Sequence, residues 1–165
     1  MDEPTQAAFA CKDARHHQSC IAQALIKAEQ LCQQQRQRFT LIRRRVLELV
    51  WQQHKPVGAY EVLELLQQDG RTAPPTVYRA LDFLQQLGLV HRIASLNAYV
   101  GCAHPGEPHD GQFLICESCK TLAELDVAAI TSAIEKSAAA SGFATSRQTV
   151  EVMGLCPNCR KRSPA

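Results

Sequence analysis

Pro74-Pro75-Thr76-Val77-Tyr78-Arg79-Ala80-Leu81-Asp82-Phe83-Leu84-Gln85-Gln86-Leu87-Gly88 reads as one helix from its start signal to its stop. Proline is tolerated in a first helical turn, where backbone N–H groups have no intrahelical acceptor, and Gly88 stands where a left-handed residue ends a helix. Val77, Ala80, Leu81 and Leu84 recur at i, i+3, i+4 and i+7, which makes one buried stripe. Thr76, Tyr78, Arg79, Asp82 and Gln86 occupy the opposite face, a polar face that is not a run of charge. Such a face presents groups that pair with phosphates and base edges. Tyr78 has two readings, because its ring suits packing on neighbouring helices equally well.

Downstream, residues 89–93 and 98–102 alternate apolar and polar around Ala94-Ser95-Leu96-Asn97, a hairpin pattern. Upstream, three further helices are expected. The first, from Ile21, carries Ile21, Leu25, Ala28 and Leu31/Cys32 at helical spacing and ends in the Gln-rich run 33–37. The second starts at the capping residue Thr40, with Ile42, Val46, Leu49 and Val50 on one face, and stops before Pro56. A third, over 58–68, buries Val62, Leu63 and Leu66 before Asp69-Gly70 closes it. Helices followed directly by a hairpin give the order of a winged helix-turn-helix, in which the last helix enters the major groove of duplex DNA. On this reading Arg79 offers paired donors to guanine, and Tyr60 an apolar or stacking contact near thymine methyls. Five arginines between Arg36 and Arg45, with no acid among them, make a local anion-binding cluster in a chain whose net charge is only +2. From charge alone, Arg43, Arg44 and Arg45 are assigned to phosphates; a solvated helix end is the other reading.

The texture changes at Ala103-His104-Pro105-Gly106-Glu107-Pro108, a Pro/Gly-rich connector. Beyond it, strands near 112–115, 121–125 and 149–153 surround an Ala-rich helix over 127–141. This small layer would gain core by pairing with a second copy. It also carries the doublets Cys116-Glu117-Ser118-Cys119 and Cys156-Pro157-Asn158-Cys159, each following an apolar run. Two C-x2-C knuckles on neighbouring strands make a closed four-thiolate shell for structural zinc. Paired disulfides or a dithiol redox pair are the alternatives for the same residues.

The expected architecture is therefore α+β: a loose arm over 1–18, a winged-helix DNA-binding domain over 19–102, a hinge over 103–110, and a small α/β dimerisation domain over 111–165 stapled by zinc. At 165 residues and 45% hydrophobic, the chain holds one good core or two small ones. It shows no secretory leader and no membrane-spanning run, so its 8 cysteines are expected as thiolates in the cytoplasm. Outside the doublets, His91, Cys102, His104, His109 and Glu124 cluster near the connector, a pool of N, S and O donors suited to a tetrahedral zinc site. Cys11, His16, His17 and Cys20 have ligand chemistry without a tight spacing. No H-E-x-x-H word and no nucleophile–base pair stands out, which argues against an enzyme, and the polar reading face argues against a zinc-binding adaptor.

The word over 74–84, the Gly88-Leu89-Val90-His91 that follows and the two knuckles together resemble the ferric uptake regulator family of bacterial metal-sensing repressors, and within it most closely the zinc-sensing branch. The resemblance runs over residues 21–160. It implies a homodimeric winged-helix repressor on a two-fold symmetric DNA operator, with zinc as both structural element and co-repressor of zinc-homeostasis genes. It also selects His91, Cys102, His109 and Glu124 as the regulatory ligands, leaves His104 as the competitor of His109, and supports Tyr60 and Arg79 as DNA contacts. Two departures stand out. Thr40-Leu41-Ile42-Arg43 replaces the family's frequent Thr-Pro-Gln-Arg. Pro108-His109-Asp110-Gly111-Gln112 replaces the His-His-Asp-His run of the iron- and peroxide-sensing branches, removing nitrogen ligands an octahedral iron site would use. A relative sensing iron, manganese or peroxide is the alternative within the family, and a thiol oxidoreductase the alternative outside it.

Overall fold

A computed structural model describes residues 14–52, 55–106 and 109–162 of the chain. The chain divides into two compact units, one within residues 11–107 and one within 108–165.

The first unit opens with α1 (Ala14–Gln34), α2 (Leu41–Gln52), β1 (Val57–Gly58), α3 (Ala59–Asp69) and α4 (Pro74–Gln86), followed by the hairpin β2 (Val90–Ile93) and β3 (Ala98–Gly101). Helix α1 starts at Ala14 rather than at Ile21, so residues 14–18, expected in a loose arm, form its first turns. Their lack of apolar periodicity hid them from a pattern-based reading. The expected stripes meet in one core, where Ala28, Leu31, Cys32, Val46, Leu49, Val50, Val62, Leu66, Val77, Leu81 and Leu84 are all buried. At the start of α2 the Arg43 N–H donates to Thr40 Oγ1 over 3.5 Å. Such a cap contributes about 1 kcal/mol. Burial of a Leu or Val side chain contributes about 1.5–3 kcal/mol, so the stripe Val46, Leu47, Leu49 and Val50 sets the position of α2 far more than its cap does.

Helix α4 ends as its sequence requires. Gly88 is left-handed, with φ of 67°. Its N–H donates to Gln85 O at 3.0 Å, and the Leu89 N–H donates to Leu84 O at 2.9 Å. These two bonds are a Schellman cap, and buried Leu84 and Leu89 supply its apolar contact. The reversal delivers the chain directly into β2. The hairpin pairs antiparallel from Val90↔Gly101 to Ile93↔Ala98, and Asn97, left-handed with φ of 47°, closes its loop. Strand β1 completes a sheet of order β1-β3-β2 by pairing Val57 with Tyr99. A two-residue strand has no alternation to read, so only its partner defines it.

On the far face of β3, Gly101 lies against the indole of Trp51. A Cβ at Gly101 would stand 2.7 Å from Trp51 Cδ2 and closer still to Cε2 and Nε1. Gly101→Ala is therefore expected to destabilise this unit by about 1–3 kcal/mol, the usual cost of overpacking. Urea unfolding of the variant beside wild type measures it, and an unchanged midpoint would show that the ring yields freely.

The second unit contains β4 (Gly111–Cys116), β5 (Leu122–Leu125), α5 (Ala128–Ala140), β6 (Thr149–Gly154) and α6 (Pro157–Arg162). Its sheet has the order β5-β4-β6, antiparallel on one side of β4 and parallel on the other. Phe113, Ile115, Leu122 and Ala123 are buried. Gln112, also buried, ties the start of α5 to the sheet: its amide donates to Val127 O and Thr131 Oγ1, each at 3.1 Å, and accepts from the Val127 N–H at 3.3 Å. Helix α5 itself has no buried residue in the single chain. Ile134, Phe143, Val152, Met153 and Leu155 are exposed along with it. No helix among the described residues is long and apolar enough to cross a membrane.

Candidate metal centres and nucleic-acid face

The two knuckles are built by adjacent strands. Parallel pairing sets Cys116, the last residue of β4, opposite Gly154, the last of β6. The first knuckle turns back through Lys120, left-handed with φ of 61°, and is held to β6 by the Glu117 N–H donating to Gly154 O at 2.8 Å. The second knuckle leads into α6, an element the sequence reading did not include, in which Pro157 is the first residue. The Cys156 N–H donates to Cys116 Sγ at 3.4 Å, and the Cys159 N–H to Cys156 Sγ at 3.5 Å.

The sulfur atoms of Cys116, Cys119, Cys156 and Cys159 all lie within 4.8 Å of one another. Cys119 Sγ and Cys156 Sγ are 3.7 Å apart. A Zn–S bond of about 2.3 Å in a tetrahedron requires an S···S edge of about 3.8 Å, whereas a disulfide would bring two sulfurs to about 2 Å. All four cysteines are free, so the disulfide alternative is set aside and the shell fits zinc. The backbone N–H groups of Cys119, then of Cys156, lower the Cys116 thiol to about 6. The Thr121 hydroxyl, 3.1 Å from Cys119 Sγ, lowers that thiol as well. Cys159 receives a lowering hydrogen bond from Ser118, yet its Cys119 and Cys156 neighbours outweigh it and push the thiol up to about 11. Crowded thiols resist ionising together, and a divalent cation removes that conflict.

The remaining expected ligands form two pairs, one in each unit. On the wing, Cys102 follows β3 with its N–H donating to Leu89 O at 3.0 Å, and its side chain is 1% exposed. His91 faces Val100 across the hairpin, so His91 and Cys102 stand diagonally on one face, with ligand atoms within 4.8 Å of each other. In the other unit, His109 Nε2 lies 3.0 Å from Glu124 Oε1, and both side chains are only 10% exposed. His104 is exposed in the turn after β3. His109 is thus nearly buried beside a carboxylate, whereas His104 is not buried. Of the N-terminal group, Cys11 and the side chains of His16 and His17 lie outside the described residues, and Cys20 is half-buried on α1.

Thr76, Tyr78 and Arg79 are exposed on α4, as their spacing predicts. Tyr60, 72% exposed, stands in the first turn of α3. Arg43, Arg44 and Arg45 are instead engaged within their own unit. The Arg43 guanidinium donates to Arg38 O and stacks 3.4 Å from the centroid of Phe83 on α4. Arg44 pairs with Glu29. Arg45 donates to Asp69 at 2.7 Å and to Glu48 at 3.2 Å. The acids come from α1, the end of α3 and the next turn of α2, so a local charge count missed them. Sequence reasoning also passed over Gln112, which reads as an ordinary polar strand residue, and Thr121, whose place two residues after Cys119 was the available signal.

A winged-helix unit followed by a sheet closed by a four-cysteine shell defines a metalloregulator class of fold. Residues 34–153 match the ferric uptake regulator family model. The chain is 38% identical over 137 residues to the zinc uptake regulation protein of Escherichia coli K12, covering 82% of this chain and 80% of that one. It superposes with a TM-score of 0.82 on a zinc uptake regulator solved with zinc and DNA, at 36% identity over 86% of this chain and 96% of that one. It superposes with a TM-score of 0.78 on holo XcZur, at 43% identity over 83% of this chain and 96% of that one. The chain belongs to the ferric uptake regulator family.

Proposed function

We propose that the chain is a zinc-responsive, DNA-binding transcriptional repressor of the cytoplasm, acting as a homodimer on two-fold symmetric operators of zinc-homeostasis genes. The observation that carries this reading is the preformed donor pairs, His91 with Cys102 on the wing and His109 with Glu124 in the second unit. Each pair supplies an imidazole and an anionic donor, the residue types a regulatory zinc takes. One thiolate, one carboxylate and two imidazoles neutralise the divalent charge in a set suited to tetrahedral zinc and poor for octahedral iron or manganese. The ligands of the four-cysteine shell all belong to one unit, which suits a structural role. The exposed apolar residues of α5 and β6, Ile134, Val152 and Met153, are assigned to the dimerisation face. Membership of a regulator family and a closed thiolate shell support a non-enzymatic reading.

Operator affinity, measured by fluorescence anisotropy against buffered free zinc and against iron and manganese, tests the proposal. Zinc should promote binding at the lowest free concentration. Promotion by iron or manganese at lower concentration would reassign the sensed metal within the family.

Arg79 with Tyr60 reads bases, Thr76 and Tyr78 flank them, and Arg43 to Arg45 form the basic rim. The Arg44–Glu29 pair does not prevent this, because a surface ion pair is worth about 0–1 kcal/mol and exchanges readily for a phosphate. Arg79→Ala is expected to weaken operator binding by about 1–3 kcal/mol and to relax preference at one base position per half-site. Arg44→Ala should weaken all duplexes alike and flatten the salt dependence. Equal losses on operator and random DNA for Arg79→Ala would remove its base-reading role.

A further inference from the structure

Strand alternation gives the wing two faces with different tasks. His91 and Cys102 stand on one face. Gly101, adjacent to Cys102, turns its Cα to the other face, where the Trp51 ring fills the volume a side chain would take. Trp51 sits at the end of α2, whose Val46, Leu47, Leu49 and Val50 are locked in the helical core. The same helix carries Arg43, stacked on Phe83 of α4. A continuous packed path therefore runs from the back of the wing through α2 to the helix proposed to read DNA. The indole Nε1 is buried and has no hydrogen-bond partner among the described residues. Packing alone places the ring, and a buried N–H without a partner has a cost of about 1–3 kcal/mol that the contact must offset.

We infer that Trp51 is a positioning residue for the wing's zinc ligands. By packing flat on Gly101 it holds the end of β3 where the Cys102 thiolate meets a metal shared with His91, and it joins occupancy of that pair to the attitude of α2. The inference rests on the proposed reading of His91 and Cys102 as zinc ligands. A metal drawing on Cys102 pulls on the strand that Trp51 presses from behind, so removing the ring leaves the thiolate less well placed, as when any group that orients a metal ligand is lost.

The test uses the full chain with its tightly held zinc, titrated with cobalt(II) and read by thiolate-to-cobalt charge-transfer absorption. Trp51→Ala is expected to weaken cobalt binding by about 10- to 100-fold, the range for groups that orient ligands. Trp51→Phe, which keeps a flat ring while losing the unpartnered N–H and the volume of the second fused ring, should restore most of that affinity. Because Trp51 is the chain's single tryptophan, its emission should shift when zinc is added to wild type and stay constant in Cys102→Ser. A folded Trp51→Ala protein with wild-type cobalt affinity overturns the inference, and so does a loss of equal size in Trp51→Phe. Should Trp51→Ala fail to fold, Trp51→Leu decides in the same way, since it fills volume without a flat ring. Persistence of the cobalt–thiolate band in Cys102→Ser would instead overturn the ligand reading, an outcome separate from any result at Trp51.

Discussion

Replacing Cys119 by serine should remove the tightly held zinc and unfold the 108–165 unit in one step. Structural zinc in small domains supplies an apparent folding free energy of about 10–16 kcal/mol. This unit has little to set against such a loss: its buried apolar side chains come from β4, β5 and the knuckles, and α5 buries none in the single chain. The shell's backbone donors, Cys156 N–H to Cys116 Sγ and Cys159 N–H to Cys156 Sγ, orient thiolates toward a shared cation. Serine at 119 offers a neutral hydroxyl in place of a thiolate. Metal content after dialysis and circular dichroism measure the two consequences, and sedimentation follows the dimer. A folded, dimeric Cys119→Ser protein would show that the sheet stands without the metal and that the shell is not a structural site.

Cys102→Ser is expected to separate sensing from scaffolding. The variant should keep the zinc of the four-cysteine shell and remain dimeric, yet bind a second zinc far more weakly, because the hydroxyl is a much poorer zinc ligand. Its operator binding should then need more free zinc than wild type. Zinc promotes DNA binding only by its preference for the DNA-competent state, so loss of a ligand reduces the shift without touching the reading residues. Raising buffered zinc should partly rescue Cys102→Ser and leave Arg79→Ala unrescued. Operator affinity against free zinc for the two proteins supplies the comparison. A wild-type zinc response in Cys102→Ser would return Cys102 to a plain structural residue, buried just after β3.

The helices α2, α3 and α4 were legible because their information is local. A stripe such as Val77, Ala80, Leu81 and Leu84 specifies both the helix and its buried face. Pro74 and Gly88 mark the ends of α4 by backbone chemistry that needs no distant partner. The knuckles were legible for a related reason, since two cysteines three positions apart already form half a tetrahedral shell. Elements lacking such a signature were not. The first turns of α1 have no stripe, β1 has two residues, and α6 starts inside a cysteine pair whose obvious use was metal binding.

By itself, then, the sequence determined helices α2 to α5, the hairpin, the zinc-suited doublets and the polar face of α4, all of which follow from spacing along the chain. Tertiary structure alone decided what depends on residues far apart in it. Parallel pairing of β4 with β6 set Cys116 beside Gly154 and closed the shell. The packing of β4 against β5 set His109 beside Glu124, both nearly buried, while His104 lies exposed. The arginines of α2 acquired Glu29 and Asp69 as partners, which no local charge count includes. The Trp51 ring came to rest on Gly101, a contact between a helix end and a strand that has no trace in either segment read alone. The physical reason is common to all four: a side chain's partner is chosen by the packing of whole elements, and spacing along the chain encodes only the partners within a few residues.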